Sequence, residues 1–214
     1  MAFASGAFAA ARPAEDQLRF KRLLPEAGLP AAEVFAILHD RRGFMWFGTA
    51  DGLVRYDGYE FRVFRHRPEN PNSLAHNIVR DIKEDAANNL WLATEGGLDL
   101  WDPRTERFTH FQYDPHNPAS LSGNKVQVLV PEKDGTLWVG TMGDGLNHFD
   151  PRSGKFERFL VRAGKEDSLV HRSINTMMYF EFCCFVSRRD AGKIDRHFSA
   201  GIMQRHKEES RRDD

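Results

Sequence analysis

The chain has 214 residues, a hydrophobic share of 41% and a formal net charge of −1. That balance suits a soluble globular chain of one or two domains, and it offers no basic face to nucleic acid. No apolar run reaches the roughly 18 residues of a membrane helix, and the only cysteines, Cys183 and Cys184, are adjacent and lack metal-ligand spacing.

Residues 1–19 read as a leader. Met1 to Ala11 is small and apolar, and Ala7-Phe8-Ala9 and Ala9-Ala10-Ala11 look like secretory cleavage sites. The basic n-region and longer apolar core of a complete signal are missing. The segment is either the tail end of a signal peptide or an Ala-rich leader. The first reading puts the chain in the periplasm; the second leaves it in the cytoplasm.

From residue 20 to 178 the chain repeats itself. Trp46-Phe47-Gly48-Thr49, Trp91-Leu92-Ala93-Thr94 and Trp138-Val139-Gly140-Thr141 are near-copies, with tryptophans 45 and then 47 residues apart. A fixed period in that range marks a stacked or radial repeat. Each unit opens on a short apolar run (VFAIL from Val34, IVRDI from Ile78, VQVLV from Val126) that suits a buried strand. Turn chemistry follows at Asp40 and Gly43, Asp85 and Asn88, Glu132 and Gly135. The Trp strand comes next. Asp51-Gly52, Gly96-Gly97 and Asp144-Gly145 then supply the positive φ of a hairpin turn. Phe61 and Phe64, Phe108 and Phe111, Phe156 and Phe159 open a fourth strand, and a polar loop closes each unit at Ser-Leu.

Four antiparallel strands per period, with no helical segment, predict an all-β fold. Its form is a partial β-propeller: about three four-stranded blades, near 34–65, 79–113 and 126–160, in an open arc. Trp46, Trp91 and Trp138 form the repeat core between blades. Trp101 replaces Tyr56 and Phe149 and reads as a packing variant, less costly to remove than Trp91. Phe20 to Leu24 is a candidate outer strand. A fourth unit starts at Ser168-Leu169 and Ile174, but Phe180 and Val186 stand where an acid and a Trp are due. Residues 179–214 therefore read as an aberrant or disordered tail, from a disrupted gene or as a charged extension. The inner strand at Ile174 would lack partners. The flanks beside Val34 to Leu38 with Phe44 to Phe47, and around Val126 to Val139, would be open and favour self-association.

Site chemistry is sparse. The histidines, among them His66, His76, His110 and His148, read as solvated, and Asp57, Asp102 and Asp150 read as turn formers. No catalytic, cofactor or metal constellation stands out from the repeat. The connections 66–77, 113–124 and 161–172 should share one face with the turns 50–52, 95–97 and 142–145. Asp51, His76, Asn77, Glu95, Asn124 and Asp144 are the ligand candidates there, because loops on a rigid scaffold carry binding residues. Each also reads singly as a turn residue.

The stretch DRRGFMWFGTADGLVRYDGYEF from Asp40, with LWLATEGGLDLWD, LWVGTMGDGLNHFD and the loops Asn70-Pro71-Asn72-Ser73-Leu74 and Asn117-Pro118-Ala119-Ser120-Leu121, resembles two-component regulator propeller repeats. The resemblance runs from about Phe20 to Met177. It implies a fragment of the extracytoplasmic ligand-binding input region of a two-component or diguanylate cyclase signalling protein. It further implies a small-molecule or oligosaccharide ligand, and an output kinase or cyclase absent from this chain. A propeller enzyme of glycosidase or lyase type and a passive interaction scaffold are the alternatives.

Overall fold

The computed structural model describes residues 33–161, Leu169, Ser173, Ile174, 176–180 and 183–187. The readings of the leader, the Phe20 to Leu24 strand and most of the tail lie outside these residues. Three separate four-stranded antiparallel sheets account for the repeats. The first holds β1 (Val34–His39), β2 (Met45–Thr49), β3 (Gly52–Tyr56) and β4 (Phe61–Phe64). The second holds β5 (Val79–Glu84), β6 (Leu90–Thr94), β7 (Gly97–Asp102) and β8 (Arg107–Phe111). The third holds β9 (Val126–Pro131), β10 (Leu137–Thr141), β11 (Leu146–Asp150) and β12 (Lys155–Phe159). In each, chain order is spatial order, as hairpin connections dictate. The described residues contain no helix.

The apolar core lies between blades. Side chains alternate across a strand, so the second strand of each blade serves two neighbours. Trp46 joins Ile82, Leu92, Trp101 and Phe108 of the second blade. Trp91 joins Leu129, Val139, Phe149 and Phe156 of the third. An aromatic relay results: the third-strand aromatic of one blade meets the Trp of the blade before. Trp101 lies 4.8 Å from Trp46, and Phe149 lies 5.6 Å from Trp91. Trp101 is fully buried, so the expectation of a lesser role is corrected. It fills the first blade junction as Phe149 fills the second.

The two flanks differ from each other. Ile37 is 63% exposed, whereas its repeat equivalents Ile82 and Leu129 are 2% and 0% exposed. The openness of the first blade is narrower than the sequence implied, since Phe47, on the opposite side of β2 from Trp46, is buried. On the third blade, the expectation of an open face around Val126 to Val139 is overturned. Val126, Leu129, Val130, Trp138 and Val139 are all buried. Val126, Leu129 and Val139 pack toward Trp91 of the second blade, and Val130 and Trp138 are covered by the start of the fourth repeat, where Leu169 and Ile174 pack on them and on Leu146. Ile174 N–H donates to Thr141 O at 2.9 Å, and Met142 bridges Ser173. Gly140 leaves the room, because a Cβ there would come within 2.7 Å of the Ile174 side chain. Beyond Ile174, β13 (Thr176–Phe180) pairs antiparallel with β14 (Cys183–Ser187). The fourth inner strand therefore has one partner where none was expected, and β14 falls inside the stretch read as tail.

Candidate functional site

One face of the arc gathers the second-to-third-strand turns and the inter-blade loops. Gly52 N–H donates to Asn77 O at 2.7 Å, Glu95 N–H to Ile78 O at 3.3 Å, and Met142 N–H to Lys125 O at 2.8 Å. Each turn is clasped by the threonine ending the second strand. Thr49, Thr94 and Thr141 donate through Oγ1 to the carbonyls of Gly52, Gly97 and Gly145 at 2.7–2.8 Å. The same oxygens accept from the amides of Asp51, Gly96 and Asp144. Those three glycines have φ of 117°, 135° and 88°, which suits glycine above other residues. The loops are tied as well. Ser73 and Ser120 accept from the amides of Arg67 and Asp114, and Leu74 and Leu121 after them are fully buried.

The six sequence candidates share this face but do not converge on one point. Asp51 pairs with Arg65 through two contacts of 2.8 and 3.1 Å, and that bond holds its carboxyl below the ordinary range. Asn77 and Asn124 are equivalent. Their Oδ1 atoms accept from the amides of His66 and Tyr113, both at 2.7 Å. The Nδ1 of His76 accepts from Ile78 N–H at 3.1 Å. Asp144 is exposed and sits over Gly123, where a Cβ would strike its carboxylate. It borders a cleft of about 270 Å³ with Tyr113, Ser122, Arg158 and Leu160. Four of the six thus hold loops together, by backbone bonds from the two asparagines and His76 and by the ion pair from Asp51.

Glu95 has a partner the sequence did not reveal. Its Oε1 receives Arg80 Nη2 at 2.6 Å, and the Arg80 guanidinium lies over the Phe35 ring at 4.3 Å. Arg80 is an extra residue. The register between β5 and β6 slips between Val79 and Asp81, between β1 and β2 between Val34 and Ala36, and between β9 and β10 between Val126 and Val128. A bulge re-aims its side chain. Each inner strand therefore presents one residue of its own beside a turn: Phe35, Arg80 and Gln127. Arg80 Nε and Gln127 Oε1 are buried without a partner among the described residues. Nearby, Asp81 Oδ2 accepts from Leu129 N–H at 2.9 Å and ties the second blade to the third.

Two histidines are not solvated as expected. His110 Nδ1 lies 2.8 Å from Asp99, which is fully buried, and its Nε2 lies 3.0 Å from Pro71 O. His148 Nε2 lies 3.0 Å from Glu132, and its ring packs on Trp138. In both cases a strand residue meets an acid, Asp99 on the neighbouring strand β7 or Glu132 in the turn after β9, where the sequence suggested solvated loops or strand ends. On the opposite face, Asp57, Asp102 and Asp150 do cap turns, accepting the amides of Tyr59, Arg104 and Arg152 at 2.7–2.9 Å. Among the described residues no cluster of three or more His, Cys, Asp or Glu could hold a metal ion. No helix among them is long and apolar enough to cross a membrane.

An open arc of four-stranded blades, radially packed through their second strands, is a partial β-propeller. Comparison with known proteins agrees. The model of the two component regulator propeller family matches residues 28–51, 73–96 and 120–143, one match per repeat. The three blades are two component regulator propeller repeats. Histidine kinase P4 of Formosa agariphila is 39% identical over 56 residues, which are 26% of this chain and 4% of that protein. The extracellular domain of a protein assigned to the hybrid two component systems of B. thetaiotaomicron superposes with a TM-score of 0.71 at 26% identity. That match covers 78% of this chain and 24% of that one, so this chain spans about a quarter of it. Virginiamycin B lyase of Staphylococcus aureus superposes with a TM-score of 0.55 at 14% identity, over 78% of this chain and 52% of its own. At that identity it shares the fold alone.

Proposed function

We propose that this chain is part of the extracytoplasmic input domain of a membrane signalling protein. In this reading the face of inter-blade loops receives a small-molecule or oligosaccharide ligand, and the chain carries out no catalysis itself. The observation that carries it is the superposition on an extracellular domain of the hybrid two component systems across 78% of the chain. Three features support the loop face as the receiving surface. Its loops are rigidly clasped, which lowers the ordering cost of binding. Its bulge residues differ from blade to blade while the core positions repeat. It also carries the cleft at Tyr113 and Asp144. The polar groups of the blades, such as Asp99 with His110 and Ser73, are engaged with backbone, as structural groups are.

Thermal unfolding of the purified chain against a panel of monosaccharides and oligosaccharides tests the reading. A binder at a hundred times its Kd stabilises by about 2.7 kcal/mol, and product analysis of the same mixtures should find it unchanged. Turnover of a panel member would favour the propeller-enzyme reading. Silence across the whole panel would count against the ligand class. Protease treatment of spheroplasts expressing the reading frame tests the location: digestion fits an extracytoplasmic domain, and protection contradicts it.

A further inference from the structure

The loops that join the blades are held in two different ways. Each passes over the third and fourth strands of the blade it enters. At the second junction, Asn147 on β11 and Arg158 on β12 hold the loop. Ser122 N–H donates to Asn147 Oδ1 at 3.0 Å. Arg158 donates to Ser120 O at 2.6 Å, Asn117 O at 2.9 Å and Leu121 O at 3.0 Å. At the first junction, the equivalent cross-strand pair is Asp99 on β7 and His110 on β8. Ala75 N–H donates to Asp99 Oδ2 at 2.8 Å, and His110 reaches Pro71 O at 3.0 Å. One loop is thus held by an amide and a guanidinium, which do not titrate in the relevant range, the other by a carboxylate and an imidazole.

The imidazole geometry is decisive. His110 Nδ1 faces a carboxylate oxygen at 2.8 Å and Nε2 faces a carbonyl oxygen at 3.0 Å. Both partners are acceptors, and neutral imidazole has a single N–H. While Asp99 is ionised, only the imidazolium satisfies both. When it loses a proton, one of the two contacts becomes lone pair against lone pair. The carboxylate is the stronger acceptor and keeps the remaining proton, so the contact to Pro71 on the loop is the one lost.

We propose that Asp99 and His110 form a proton-operated latch, which holds the loop of residues 67–75 on the second blade while His110 is protonated and releases it when His110 is neutral. The titratable groups that act on the latch among the described residues are Asp99 on β7, His110 on β8 and His66 at the start of the loop, whose Nδ1 lies 2.7 Å from Leu74 O. The bond to Asp99 raises His110 above its ordinary 6.5, and burial raises Asp99 above its ordinary 3.8. A raised folded value means stability that is complete below the ordinary value and lost as pH climbs through the folded one. The His110 shift therefore weakens the loop on the alkaline side, where Asp99 is already the carboxylate that accepts from it. The loop leads into His76 and Asn77, and Asn77 O accepts from Gly52 N–H of the first blade. Release would loosen that face at one junction only.

Hydrogen exchange of the whole chain provides the test, with the two loops as each other's control. Corrected for the intrinsic rate, exchange over 67–77 should rise about ten-fold between about pH 6 and about pH 9, the loss of one charge-assisted bond. Exchange over 114–124 should stay level. Equal responses in both loops, or none in either, would overturn the latch. The double variant Asp99→Asn with His110→Arg copies the second junction and should abolish the response over 67–77; persistence there would also overturn it. Should that variant fail to fold, the His110 titration by NMR decides. A value at or below the ordinary 6.5 contradicts the latch.

Discussion

Two tryptophans that touch each other should respond oppositely to the same substitution. Trp46 and Trp101 are both fully buried, with ring centroids 4.8 Å apart. Trp46 Nε1 donates to Asp40 Oδ2 at 2.8 Å, and Asp40 is itself buried. Trp101 Nε1 is buried and meets no acceptor among the described residues. Replacing either by Phe makes the same truncation in the same core, so the cavity cost largely cancels in the comparison. Trp46→Phe also takes a donor from a buried carboxylate, at about 1.5–3 kcal/mol for a bond to a charged group. Trp101→Phe removes a buried unmatched donor, which returns about 1–3 kcal/mol, and installs the residue the third blade already has in Phe149. Urea unfolding followed by far-ultraviolet circular dichroism should place Trp46→Phe about 2.5–6 kcal/mol below Trp101→Phe. Acidity adds a check. Burial pushes the Asp40 carboxyl up, but bonds from Trp46, the Phe44 amide and Arg42 outweigh it and hold it below 3.8. A depressed carboxyl stabilises above its ordinary value and loses that contribution as pH falls through the folded one. The gap between the variants should therefore narrow in acid. Equal costs at neutral pH, or a costlier Trp101→Phe, would refute the reasoning.

Trp91→Ala and Trp101→Ala should each cost about 3–5 kcal/mol in denaturant melts, since each fills a blade junction. Gly140→Ala should cost about 1–3 kcal/mol by overpacking Ile174, and Ile174→Ala in the same chain should recover part of it. Additive losses would show that Ile174 does not seat there. Thr94→Val should cost about 1–2 kcal/mol, since it unties the Gly97 carbonyl and the Gly96 amide, and thermal melts would show it. Ile37→Ser should change stability by less than about 0.5 kcal/mol, while Ile82→Ser should cost about 3 kcal/mol or more. Similar values for the pair would mean that the first blade's flank is covered.

The blades were legible in the sequence because their signals are local and repeated. Tryptophan spacing, turn glycines and paired phenylalanines each recur three times, and a periodic error would have shown itself. The burial of Trp101 was not legible, because its partner Trp46 is 55 residues away and belongs to another blade. The clasps of Thr49, Thr94 and Thr141 could have been read, since the same residue ends the second strand each time. Topology alone places the six candidate residues on one shared face, but their bonds to backbone depend on loop conformations that no spacing specifies. Arg80 meets Glu95 only because a bulge turns it out, and a bulge adds a residue without a sequence mark. Asp99 and His110 sit at positions held by Val54 and Val63 in the first blade and Asn147 and Arg158 in the third. Comparing those cross-strand pairs, rather than the histidines one by one, would have found them.

The claim that the loop face receives a ligand is tested most directly by mapping a binder from the thermal panel with hydrogen exchange on the intact chain. The account predicts protection confined to the turns 50–52, 95–97 and 142–145 and the connections 66–78 and 113–125. Protection at the opposite turns, 40–44, 85–89 and 132–136, with the loop face unchanged, would contradict it.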